Sequence, residues 1–126
     1  MSPTLHGDTF VFATIANETA TEQHAKLLKQ VEMMFRESEG WTLIVRQPVA
    51  DELGIDSIFP CEKITLNVHS SLDAVGFLAV ITSRLAERLS IGVNPVSGYY
   101  HDHLFVPLGK EDLVVEELKA MAAEQQ

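Results

Sequence analysis

One cysteine in 126 residues, Cys61, leaves no partner for an internal disulfide and no thiolate set for a metal. It accords with a reducing cytosol. Basic residues are also scarce: 9 Lys and Arg stand against 18 Asp and Glu, a formal net charge of −9. Phosphate backbones repel such a surface, and no Lys/Arg stripe overrides the net field, so neither nucleic acid nor an anionic membrane is expected as a partner. No apolar run exceeds Ala74–Ile81, far short of the roughly 20 residues that span a bilayer. Met1–Asp8 lacks the basic start and apolar stretch of a secretory signal. The expectation is a cytoplasmic protein that uses no cofactor.

What is present suffices for a packed interior. Apolar residues make up 46% and charged residues 21%, normal for a soluble protein, and the length suits one domain or two small ones sharing a core. Phe10–Ile15 reads as a buried strand. The polar loop Asn17-Glu-Thr-Ala-Thr follows, and from Glu22 the spacing of Ala25, Leu28 and Val31 is helical. Val31–Arg36 suits either a continued helix or an alternating strand. The strand is preferred, because Glu37-Ser-Glu-Gly40 then becomes a hairpin turn into Trp41–Val45. Pro48 opens a short helix that Gly54 stops, and Asp56–Glu62, carrying Pro60, reads as a linker.

In the second half, Lys63–His69 alternates, with Ile64, Leu66 and Val68 on one face. Ser70 is an N-cap candidate with Asp73 three residues on, and the helix runs to about Leu89. Ile91–Val96, a turn at Ser97-Gly98-Tyr99-Tyr100, and Asp102–Val106 form a hairpin, and an amphipathic helix, Lys110–Ala122, closes the chain. Each half then reads β-α-β-β-α, a degenerate repeat with a boundary near residue 60: 1–60 and 61–126. The fold class is α+β, ferredoxin-like (βαββαβ-type), with neither half owning a fourth strand unless the two share strands in one compact unit.

The third strand of such a sheet lies between the first and second. That order places His69 near His101, beside the helix start at Ser70 and Ser71, with Asn94 near the same end. His101, His103 and Phe105 share one face, while Leu104 and Val106 turn to the helices. A pocket lined by these residues and roofed by Tyr99 or Tyr100 combines anion-favouring helix amides with the Asp73 carboxylate, which suits a zwitterion such as an amino acid. A metal site from His69, His101 and His103 is an alternative, although no fourth strong ligand is spaced to complete it. A catalytic arrangement of His101–Asp102 with Ser70 or Ser71 fails because adjacent strand residues point to opposite faces. Cys61 has only Lys63 nearby as a cation.

The order of strand, His69-Ser-Ser-Leu-Asp-Ala-Val-Gly-Phe-Leu-Ala79, helix, Ile91-Gly-Val-Asn-Pro95, hairpin and strand resembles the ACT-domain pattern. Val68-His-Ser-Ser-Leu72 and Gly98-Tyr-Tyr-His-Asp-His-Leu-Phe-Val-Pro107 more narrowly resemble small proteins of two tandem ACT-like repeats, and Phe10–Ile15 and Phe35–Val45 resemble their first repeat. The resemblance implies a non-enzymatic regulatory domain that binds small ligands, often amino acids, at subunit or repeat interfaces, here as a homodimer. It also implies a contribution from the loop between first strand and first helix: His69, Ser70, Ser71, Leu72, Asp73, Val75 and Gly76. Asn94, Gly98, Tyr99, His101 and His103 complete the expected ligand set, and no residue is expected to be catalytic. Many ACT domains carry a Pro-Gly pair in that loop where this chain has Val75-Gly76, so ligand identity does not follow. A structural or partner-binding module without a ligand is the alternative function.

Overall fold

The strands are laid down by β-branched and aromatic residues in alternation, and the helices by apolar stripes that cover one sheet face. A computed structural model describes residues 2–18, 21–67 and 76–124. The elements in order are β1 (Pro3–Ile15), α1 (Thr21–Leu28), β2 (Val31–Glu37), β3 (Gly40–Arg46), α2 (Gln47–Leu53), β4 (Ser57–Leu66), α3 (Phe77–Leu89), β5 (Asn94–Ser97), β6 (Asp102–Pro107) and α4 (Glu111–Glu124). The chain divides into two compact units, Asp8–Pro60 and a second made of Cys61–Gln126 with Met1–Gly7. The architecture is α+β.

In the Asp8–Pro60 unit the strand order is β2-β3-β1, all antiparallel, with Phe12 opposite Ile44, Thr14 opposite Thr42 and Ile15 opposite Trp41. Val11, Ala13 and Ile15 of β1 alternate onto the same buried face as Leu43 and Val45, where Leu27 of α1 and Val49 and Ala50 of α2 meet them. The ambiguous Val31 segment is a strand, with a register shift between Val31 and Met33 against β3. At Gly40 a β-carbon would stand 2.7 Å from the Ile15 carbonyl oxygen, so the hairpin closes only with glycine there. Gly54 ends α2 in the left-handed conformation, φ 63°, its N–H donating to Ala50 and Asp51 carbonyls.

In the other unit β6 lies between β4 and β5, antiparallel to both. Ile64 and Leu66 of β4 and Leu104 and Val106 of β6 face Ile81 and Leu85 of α3 and Val114, Leu118 and Met121 of α4. The two helices are tied by Arg84, whose guanidinium donates to Glu117 at 2.6 Å and to both oxygens of Glu124. Glu117 and Glu124 of the closing helix are thus ion-pair partners of α3.

Several expected boundaries are corrected. The expected linker Asp56–Glu62 is the first half of β4. Its proline signal marks a kink rather than a break: Phe59, preceding Pro60, takes φ 57°, strained for an aromatic residue, and its ring packs edge-on to Phe12 at 5.8 Å. β1 begins at Pro3, seven residues before the apolar run that announced it. β4 ends at Leu66, and α3 begins at Phe77 with Gly76 as its N-cap, so the expected helix start at Ser70 falls outside the described residues. Ile91 and Val93 precede β5 and pack on the core from a loop, which explains why their apolarity read as strand.

Leu118→Ala removes a side chain with no solvent exposure and is expected to cost ~2–5 kcal/mol in urea denaturation. Leu113→Ala on the same helix, half exposed, should cost no more than about 0.5 kcal/mol.

Candidate functional site

The hairpin end of the Cys61–Gln126 unit gathers part of the expected site. His103 of β6 stands opposite Thr65 of β4 and Val96 of β5. The Thr65 hydroxyl lies 2.9 Å from His103 Nδ1 and 2.6 Å from His6 Nε2. A hydroxyl carries one proton, so in the neutral state one ring accepts from Thr65 while the other donates to it. The His101 and His103 rings approach edge-to-face, centroids 6.3 Å apart. The Gly98 N–H donates to the His101 carbonyl at 2.8 Å, and a β-carbon on Gly98 would lie 3.5 Å from His103 Nε2, so the loop rests directly on that ring. His6 of β1, which the sequence reading did not include in the site, is exposed yet belongs to this cluster.

Other members do not join it. Asn94 pairs with Phe105, three register positions from the Ser97–Asp102 pair that closes the hairpin, about 10 Å along the strand. The parallel course of β4 and β5 puts Asn94 toward the opposite end of the sheet. Tyr99 and Tyr100 are 84% and 74% exposed and meet edge-to-face, centroids 4.7 Å apart, rather than roofing a pocket. Gly76 caps α3 at φ 88° without a side-chain cap. His69, Ser70, Ser71, Leu72, Asp73 and Val75 lie outside the described residues. Among the described residues no three His, Cys, Asp or Glu side chains are arranged to hold a metal ion. Cys61 is buried in β4, and burial, reinforced by Glu62, pushes its thiol up to about 12, which leaves almost no thiolate at neutral pH.

The Asp8–Pro60 unit carries two concavities that the sequence reading did not single out. A groove of about 580 Å³ is lined by Asn17 from the loop after β1, by Arg36, Glu37 and Ser38, and by Trp41 of β3. The Arg36 guanidinium sits 4.9 Å above the Trp41 ring, and the Asn17 amide donates to the Ser38 carbonyl at 3.4 Å. A second cavity of about 410 Å³ is lined by Phe12, Ala13, Thr14, Glu37, Thr42, Asp56, Ser57 and Ile58. The Thr42 hydroxyl donates to the Glu37 carboxylate there. Trp41 and Thr42 are neighbours on β3 and point to opposite faces, so groove and cavity flank the strand ends with Glu37 bordering both. The internal repeat was the available signal: in sequence, Asn17 follows the first strand of its half as the expected site residues follow that of the other.

Burial foremost, then the nearby Lys63, His101 and His6, holds the His103 imidazole below its ordinary range, with Asp102 opposing. The fold therefore favours the neutral ring. As pH falls through about 6.5 the unfolded chain takes up this proton first, so stability declines until the lower folded value is passed. Urea denaturation at successive pH values between 7 and 5 should show this decline, and His103→Gln should flatten it; an unchanged slope would refute the assignment.

The description of the matching family model is ACT domain, and the match covers residues 1–62. No curated protein matches the chain. Among solved structures it is similar to a Vibrio cholerae protein of unknown function, a possible transport protein, at 36% identity over 96% of this chain and 89% of that one, TM-score 0.83. An Agrobacterium tumefaciens protein shares the fold at 16% identity over 94% and 87%, TM-score 0.74. The ligand-free regulatory subunit of aspartate kinase from Thermus thermophilus does so at 12% identity over 92% and 94%, TM-score 0.63. The strand order, the helix-covered faces and these matches agree: residues 1–62 belong to the ACT-domain family, and the chain has the ferredoxin-like fold of its structural neighbours.

Proposed function

We propose that this ACT-family protein is a regulatory, non-enzymatic binder of a small zwitterion, an amino acid, held in the groove of the Asp8–Pro60 unit. One observation carries the reading: a guanidinium and a carboxylate, Arg36 and Glu37, border one concave surface. The forked guanidinium suits a ligand carboxylate, and Glu37 suits its ammonium. Stacking on Trp41 pre-orients Arg36 and supplies an apolar wall for the side chain. The groove volume, about 580 Å³, falls within the range of small-molecule sites. Asn17 comes from the strand-to-helix loop, the position in the first half that His69–Gly76 occupies in the second. By that equivalence the second loop, with Gly98, His101 and His103, forms the corresponding site of the other half.

The fold shared with a regulatory subunit of aspartate kinase supports a role in which binding, rather than chemistry, is the output. The buried Cys61 thiol supports a reading without catalysis. We further propose a homodimer in the cytoplasm. Among the described residues no helix is long and apolar enough to cross a membrane.

Thermal-shift screening over the twenty amino acids, followed by calorimetry, tests the reading. One amino acid should raise Tm by several degrees at concentrations near 100 times its Kd, where stabilisation is about 2.7 kcal/mol. Arg36→Met should weaken it at least about tenfold, the loss of a charge-assisted pair. If no amino acid stabilises the protein, the module without a ligand is the better account.

A further inference from the structure

The second cavity of the Asp8–Pro60 unit differs in chemistry from the groove. Its lining includes two carboxylates, Glu37 and Asp56, and no basic side chain. Phe12, Ala13 and Ile58 provide an apolar surface, to which Thr14 and Thr42 add methyl groups. Ile58 is 73% exposed at this cavity, and Phe35, opposite Thr42 in register, is 63% exposed. Two large apolar side chains thus stand in water beside a concave surface that also holds unbalanced negative charge. The walls are not loose: the Thr14 N–H donates to the Asp56 carbonyl at 3.4 Å, and Phe12 is braced edge-on by Phe59.

We propose that this cavity is a binding site for a primary aliphatic amine, an alkylammonium head on a short hydrocarbon body. An ammonium has three N–H donors and no acceptor. Glu37 and Asp56 supply carboxylate acceptors, and a Thr hydroxyl supplies another. Glu37 receives the Thr42 proton on one oxygen, which leaves its second oxygen for the ligand. The hydrocarbon lies on Phe12 and Ile58 and withdraws the latter from water. The Phe12 face adds attraction for a nearby cation. A carboxylate ligand meets two like charges and no counter-charge, so anions are rejected. This class differs from the amino acid assigned to the groove, where Arg36 supplies the carboxylate partner this cavity lacks, and the inference stands without that assignment.

Three probes of one shape separate head-group recognition from apolar burial: isopentylamine, isopentanol and isovalerate, titrated into the full chain with backbone amide NMR and calorimetry as readouts. The amine should shift the amide signals of Thr14, Thr42, Ser57 and Ile58 and bind at least about tenfold more tightly than the alcohol. The acid should not bind. Asp56→Asn should reduce amine affinity about tenfold while leaving the alcohol unchanged, and Arg36→Met should leave amine binding intact. Asp56 and Arg36 are exposed, so both variants should fold. Equal affinities for amine and alcohol, binding of isovalerate, amine-induced shifts confined to other residues, or no amine binding would each overturn the proposal. Glu37 borders both the cavity and the groove, so amino-acid binding in the groove is read separately, by titrating amino acids, without amine present, into the parent chain and Arg36→Met.

Discussion

The direction each strand residue faces decides what this chain can do. Backbone pleating sends successive side chains to opposite faces, and in both units one face is taken by a helix pair. Val11, Ala13, Ile15, Leu43 and Val45 are consumed in this way in one unit, Ile64, Leu66, Leu104 and Val106 in the other. Their neighbours turn to the other face, where Thr14 stands opposite Thr42 in one unit and Thr65 opposite His103 in the other. A one-residue slip of β6 against the helices would bury His103 and expose Leu104, exchanging core for site. These polar pairs are thus positioned by the same alternation that hides the hydrophobic residues.

Scarcity of positive charge gives the remaining cations their meaning. With 9 Lys and Arg against 18 acids, most surface positions already favour cations, and a site for a carboxylate has to be made locally. Arg84 is committed to Glu117 and Glu124 between α3 and α4, where it holds two helices together. Lys63 lies within the field of the His103 cluster. Arg36 instead rests on an aromatic ring beside a concavity, its fork oriented by stacking. That difference in environment, more than residue type, separates a structural arginine from one suited to a ligand.

The parts of this architecture that were legible are those where one force dominates. The Glu37–Gly40 turn and the apolar stripe of α4 follow from turn chemistry and periodicity, and it is the turn that tips the Val31 segment to strand, since its own spacing suits helix and strand alike. The errors arise where two signals compete. Pro60 looks like a boundary because proline usually ends regular structure, but here φ at Phe59 absorbs the conflict and β4 continues through it. Pro3–Thr9 is mostly polar and exposed, so nothing in its hydropathy betrays a strand; hydrogen bonds from Asn67 to Ser2 and Thr4, and between His6 and Thr65, align it. Asn94 was placed by strand membership without following β5 to its direction, and the parallel course of β4 and β5 moves it to the wrong end. The resemblance, too, leaned on second-half strings, whereas the family match falls on residues 1–62.

Those two halves illustrate why membership of this family fixes a backbone before it fixes a ligand. Both run strand, loop, helix, hairpin, and both turn one sheet face to a helix pair. Yet the hairpin end of one brings together a guanidinium, an indole and a carboxylate, while that of the other brings imidazoles around a threonine hydroxyl under a glycine loop. Apart from Trp41, which also packs on the core of its unit, the residues of these two arrangements lie outside the hydrophobic cores that enforce the common fold, so most of them can change with little effect on packing. Fold likeness at 12% identity therefore transmits the scaffold and the places on it where binding is structurally cheap. What occupies those places has to be read from the side chains of this chain.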